Sequence, residues 1–566
     1  MKRSIKNVLM IILIILMIGA MYLTINSSRT DNNSMGNPQE MKEGTPPEKP
    51  NDDNNGDIFG ENMMFPDEAP PEINDERPNL PSNSNTSTIT YILLGVESLV
   101  IVSTCMYLVL SGFNKKTLNE MVNDKNKLVL YILVMIVLTG GLTYFATTFI
   151  DNSNSTSGPN GGNIRGTSSS VTYSSVKEIT SDETITSGDY TSNLKDENAI
   201  NVSGDIKVDL SGVNITKTGD SDGGDNTSFY GTNSAILAKD GAELTIENAN
   251  ITTNATGANG VFSYGGSATT NNSNSDGTTI NISDSKITTS SDNSGGIMTT
   301  GGGIMNANNL TVKTSGTSSA AIRSDRGGGE VTVDSGTYET SGQGSPTIYS
   351  TANIKVSNAT LIATASEGVV IEGANSVTLN NCNLTDTNNK LNGQSTTYKN
   401  IFLYQSMSGD AKEGGSTFTS KNSKIVTNKG DSFYVTNTSA TINLENNDII
   451  NNDSTGYFLR SKSDSWGNSG SNGGIVTLNM TNQKVSGNIY IDDISTLSMN
   501  MINSNYEGTI NADNTAKSIS IKLDSASKIK LTADSYITSL EDADTTYSNI
   551  DLNGYKLYVN KEEFTK

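Results

Sequence analysis

From Asp151 to its C-terminus the chain carries only four arginines: Arg165, Arg323, Arg326 and Arg460. Two of them stand in one short stretch, "AAIRSDRGGG", on either side of Asp325. A guanidinium is a planar fork of donors that matches a carboxylate or a pair of hydroxyls. Two forks around one carboxylate could therefore hold a polar ligand, or pin a loop. Neighbouring segments add groups of the same kind: Tyr349 in "TIYS", Glu372 in "VIEG", Tyr404 in "FLYQ" and Arg460 in "FLRS". Tyrosine rings offer flat faces to sugar rings. Arg323, Asp325, Arg326, Tyr349, Glu372, Tyr404 and Arg460 are thus the candidate ligand-binding residues.

Composition excludes much other chemistry. The 566 residues include no histidine, so there is no Ser-His-Asp triad and no histidine-ligated metal. The two cysteines, Cys105 and Cys382, are far apart and form neither a disulfide framework nor a metal knuckle. A formal net charge of −22 argues against nucleic acid as a partner.

The elements that would position these residues repeat. The pattern apolar, any, apolar, four residues, apolar reads "VDLSGVNI" at Val208, "LTIENANI" at Leu244 and "INISDSKI" at Ile280. It goes on as "VTVDSGTY" at Val331, "IKVSNATL" at Ile354, "VTLNNCNL" at Val377 and "INLENNDI" at Ile442, and ends with "LNMTNQKV", "MNMINSNY" and "IDLNGYKL". Where it is tightest, at Val312, Val333, Val356 and Leu379, copies are 21 to 23 residues apart. A fixed period of that size indicates a solenoid, and alternation inside each copy indicates strands. Two places after the second apolar residue stand Asn248, Asn358, Asn381, Asn446, Asn482 and Asn503, with Asp284, Ser335, Gly212 and Gly554 in other copies. These types tolerate a left-handed backbone at a sharp corner, and stacked asparagines can bond along a ladder.

Each coil has a later strand, such as "AILA", "GVFS", "GIMT", "AIRS" and "TIYS". Its second residue should point inward and its third outward. The expected outward ladder is Leu237, Phe262, Met298, Arg323, Tyr349, Glu372, Tyr404, Val435 and Arg460. Such a groove suits a linear polymer; the same residues would also serve as a structural ladder beneath a covering loop. Trp466, in "SDSWGNSGSNGG", belongs on a loop, as a sugar platform or a loop anchor.

The coil pattern, with "SAIL", "GGIM", "AAIRSDRGGG" and "GSPTIYSTANI", resembles the right-handed parallel β-helix proteins of bacterial surfaces, the pectate-lyase-like superfamily in its broad sense. It looks nearest to the adhesin-like or carbohydrate-binding group. The resemblance covers residues 177–566. It implies a β-helix, an extracellular polysaccharide or cell-envelope partner and, for lyases of this fold, bound calcium with an arginine or lysine base. Arg323 or Arg326 would resemble that base. Asp220, Asp222 and Asp225 in "GDSDGGDN" fit no calcium-loop spacing, so no cofactor is expected from the residues and calcium rests on the resemblance alone. A glycosidase needs two facing carboxylates, and Glu372 with Asp325 is a loose pair. The functions expected are polysaccharide or surface binding, then a calcium-dependent polysaccharide lyase or glycoside hydrolase, then a structural envelope role.

Ahead of the repeats, residues 8–25, 89–113 and 128–150 are apolar runs, read as three transmembrane α-helices. Lys115, Lys116, Lys125 and Lys127 lie between the second and third. Positive loops stay inside, so this reading gives a multi-pass cell-membrane protein with its C-terminal domain extracellular. Residues 1–25 would be an anchor or uncleaved signal, 89–150 a helical hairpin and 151–176 a linker. Residues 26–88 hold nine of the eleven prolines and thirteen acidic against four basic residues, the composition of an extended, disordered external linker. Glu97, inside the second run, would hydrogen-bond to the third near Thr143.

Overall fold

A computed structural model describes residue 139 and residues 171–566, apart from 222–223, 267–274 and 394. Its contacts divide the chain into units Met1–Asn163 and Ile164–Lys566. The second unit is a parallel β-solenoid. Each coil places one strand in a 12-stranded sheet and the rest in a 22-stranded sheet, with four-stranded and three-stranded sheets completing the stack. The strand pairings are parallel except where Leu557–Val559 meets Glu562–Glu563. One coil shows the path: Gly303–Thr314, then Ile322–Ser324, then Gly329–Thr340 one rung further on.

Alternation places the apolar residues inside. Val333 registers with Val356, and Val356 with Leu379, each essentially buried. Most coils repeat this, with Ser420 in the slot beyond Leu379 and Ala307, Met480 and Met501 in others, so the core is a column of mainly apolar rows at about 4.8 Å spacing. Fully burying one such side chain contributes about 1.5–3 kcal/mol.

The corner residues behave as their types dictate. Asn248, Asp284, Ser335, Asn358, Asn381, Asn446, Asn482 and Asn503 all have φ between 46° and 65°. Asn309 and Asn422 join them at 49° and 52°. Asn381 Nδ2 donates to Asn358 Oδ1 at 2.7 Å, Asn446 to Asn422 at 2.8 Å and Asn503 to Asn482 at 2.7 Å. The ladder satisfies side chains that would otherwise compete with the strand backbone.

The expected fold class needs correction. The β-helix is present, but among the described residues no helix is long and apolar enough to cross a membrane. The helix Asp225–Tyr230 has six residues and lies in a loop of the solenoid. A membrane span needs roughly 20 residues. The apolar runs read as three spans, with Glu97 and the linkers between them, lie outside the described residues, and the three-span assignment is withdrawn.

Candidate functional site

The outer face of the 12-stranded sheet carries the residues singled out above. Its central column is fixed by register: Leu237, Phe262, Met298, Arg323, Tyr349, Val370, Phe402, Tyr434, Arg460 and Tyr490 follow one another across adjacent strands. Leu237, Phe262, Met298, Arg323, Tyr349 and Arg460 therefore occupy the expected positions. Glu372 and Tyr404 lie two residues further along their strands, paired with each other on the same face. Val435 is corrected: it pairs with Leu403 and faces the interior core.

Exposure is the larger correction. Leu237, Phe262 and Met298 are fully buried in a second, smaller apolar cluster, packed against Tyr173 and Tyr264. Val370, Phe402, Tyr404 and Tyr434 form another, with Tyr349 and Trp466 against it. Trp466 lies 5.2 Å from the Phe402 ring and 5.4 Å from Tyr404, so it anchors its loop. Loops and the short helix thus roof this part of the face.

Between the clusters runs a closed polar network. Arg323 Nη2 donates to Asp325 Oδ2 at 2.7 Å, and Nη1 to the Ser318 carbonyl at 3.3 Å. Arg326 bonds Asp410 and Asp225 and stacks 3.8 Å over the Phe229 ring. Glu372 accepts from Tyr349 Oη at 2.5 Å, from Tyr404 Oη at 2.9 Å and from Ser406 Oγ. Burial pushes the Glu372 carboxyl up, against its three hydroxyl donors. Burial likewise raises Asp325, against Arg323. Burial, then Glu372, holds the Tyr349 and Tyr404 phenols protonated. Lys399, missed in the sequence, lies fully buried beneath this roof, 4.4 Å from the Phe402 ring and 3.7 Å from Glu367, its pKa lowered by burial. Arg323 and Arg326 are both engaged by carboxylates, so neither stands as a free base.

Beyond Phe402 and Tyr434 the column is more open, the Arg460 side chain being 21% exposed against 13% for Arg323. Arg460 Nε pairs with Asp431 at 2.6 Å, and its guanidinium lies 4.2 Å over Tyr457 and 5.6 Å from the Tyr490 ring. The column continues from Tyr490 through Asn511, because Ile489 bridges Ile510, and then to Tyr536 and Tyr558, which pair. The Tyr536 and Tyr558 rings are stacked, centroids 4.8 Å apart and planes within 5°. Tyr457, Tyr490, Tyr536 and Tyr558 are all half-buried. Sequence reasoning passed over them, although "NIYID" and "KLYV" repeat the same apolar-outward-apolar signal; in "SYIT" a serine takes the first inward place.

Elsewhere a shallow groove over the asparagine corner is lined by Asn381, Asn383, Asn422, Lys424, Asn446 and Asp448. Among the described residues no group of three or more His, Cys, Asp or Glu is placed to hold a metal ion. No family model, curated protein or solved structure matches this chain.

Proposed function

We propose that this protein binds a polysaccharide or a similar repeating surface polymer, as an adhesin or carbohydrate-binding protein, along the more open end of the outer face. The observation that carries this reading is the strip Arg460, Tyr490, Tyr536 and Tyr558, a guanidinium followed by half-buried rings on one column. At about 4.8 Å per rung the strip from Arg460 to Tyr558 is roughly 19 Å long, long enough for several sugar rings. Stacked tyrosines give apolar faces with polar edges, the pairing a pyranose presents in return. The roofed half, with Arg323, Asp325, Arg326, Tyr349, Glu372 and Tyr404, serves this function as the clamp that holds the loops and keeps the solenoid rigid. Such polymers are met outside the cell, and the proposal places the solenoid there, as a member of the right-handed β-helix class; right-handed crossovers are the rule between parallel strands.

The test is retention of the full chain on a panel of immobilised polysaccharides, with Tyr536→Ala and Tyr558→Ala as variants. Retention lost in these and kept in Arg323→Ala supports the reading. Retention lost only in Arg323→Ala would move the site to the roofed half.

A further inference from the structure

Inside the solenoid, on the opposite side of the sheets from the outer face, one coil holds hydrogen-bond acceptors short of donors. Strand Asn383–Asp386 turns Asp386 inward, fully buried; neither carboxylate oxygen has a well-formed hydrogen bond, and the donor that faces it is the Asn388 backbone N–H. In five other coils this slot holds threonine, at Thr253, Thr289, Thr314, Thr340 and Thr427, while Ala363 fills it on the adjoining strand and Ser192, Lys217 and Asn451 in further coils. Thr289 and Thr314 donate their hydroxyls to the Ser294 and Ser319 carbonyls, and Thr427, in register with Asp386, donates to Ser432 Oγ. An ionised aspartate has no hydrogen to donate.

Two buried amides belong to the same and the next coil. Asn388 Nδ2 donates to the Lys399 carbonyl at 2.9 Å, and Asn400 Nδ2 donates to Thr427 Oγ1 at 3.0 Å. Asp386, Asn388, Lys399, Asn400 and Thr427 thereby form a closed circuit through chain, hydrogen bonds and register. The Oδ1 atoms of Asn388 and Asn400 are buried and unpartnered. Four acceptor oxygens on three buried side chains thus have no well-formed hydrogen bond, and the Asn388 backbone N–H facing Asp386 cannot serve them all. Lys399 does not neutralise them, because its ammonium is bound to Ser395 Oγ and the Thr397 carbonyl and lies beside Glu367. Glu367 adds negative potential toward Asp386. Buried polar groups are almost always satisfied, and a buried charge needs a counter-charge. A proton offers one donor and a water two, against four acceptors.

We propose that Asp386, Asn388 and Asn400 form an internal binding site for a hard cation. Carboxylate and amide oxygens without nitrogen or sulfur select calcium, magnesium or sodium over zinc or copper. The ion would join strand Asn383–Asp386 to the corner that leads into Lys399–Tyr404, and so act on the coil from within.

The experiment strips the full chain with chelator and returns calcium, magnesium or sodium chloride, each alone, at neutral pH. The expected result is a rise in Tm with at least one of them, and equilibrium dialysis showing one more ion per chain on the parent than on Asp386→Asn. The variant replaces a charge with a donor, so its own Tm should not respond to that ion. Equal uptake by parent and variant overturns the proposal, as does a parent Tm that no ion moves. A metal-free Tm that falls with rising pH more steeply in the parent than in Asp386→Asn, and is restored by no ion, shows a proton in place of the cation, and also overturns it. If Asp386→Asn does not fold, Asn388→Ala replaces it: unchanged ion uptake in that variant is the contradicting outcome.

Discussion

Arg326 reaches one carboxylate oxygen of Asp410 with two nitrogens, Nη2 at 2.8 Å and Nε at 3.1 Å, across 84 residues of sequence. The same guanidinium covers Phe229 of the short helix. One side chain therefore ties two roofing segments to the corner at Gly327–Gly329, whose φ values of 84°, 59° and 151° suit glycine.

Asp410→Ala should therefore loosen the roof while leaving the solenoid folded. Charge-assisted hydrogen bonds contribute about 1.5–3 kcal/mol when sheltered, and partial exposure of this pair places it at the low end. Limited proteolysis should cut near residue 410 faster in the variant, with little change in global Tm. Unchanged cleavage would mean that the pair does not hold the loop.

Glu372 makes stability depend on pH. Its folded pKa is raised by burial, so the folded state holds the proton more tightly than the unfolded chain. Its contribution is fully present below the ordinary carboxylate range and is lost as pH rises through the raised folded value. Asp325 acts in the same direction. Glu372→Gln should flatten part of the fall in Tm between acidic and neutral pH. An identical slope in parent and variant would contradict the assignment.

Val356→Asp buries a charge between the Val333 and Leu379 rows. The loss should be several kcal/mol, about 3 or more, read in a denaturant melt of the full chain. A variant that melts with the parent would show that the register is wrong.

Asn381 sits at φ 54° and bonds Asn358. Asn381→Ala loses both the bond and the tolerance for that backbone, at a cost of about 1–3 kcal/mol. Asn381→Gly loses the bond alone and should be milder. An order of Tm with glycine below alanine would refute the backbone argument.

The inner half of each coil was legible because apolar alternation records which side faces the core. Val333, Val356 and Leu379 align as their spacing requires, and the asparagine corners follow from residue type. The outer half was less legible. Alternation says that Phe262 or Met298 leaves the core, but the roofing loops decide whether it meets water. "FYVT" read in the phase of "AIRS" puts Val435 outward, but it begins one residue out of phase, and only strand pairing fixes that. Tyr490 and Tyr558 carry the same signal in shorter strands, and Asp386 stands in a slot that five other coils fill with threonine.

Polysaccharide binding along the Arg460–Tyr558 strip is measured by affinity electrophoresis of the full chain through gels that each contain one polysaccharide. The expected result is retardation by at least one polysaccharide, reduced for Tyr536→Ala and Tyr558→Ala by the equivalent of about 1–3 kcal/mol each, with the Tm of both variants and the retardation of Asp410→Ala as in the parent. Retardation that is equal in the parent and both tyrosine variants, or that no polysaccharide produces, would contradict it.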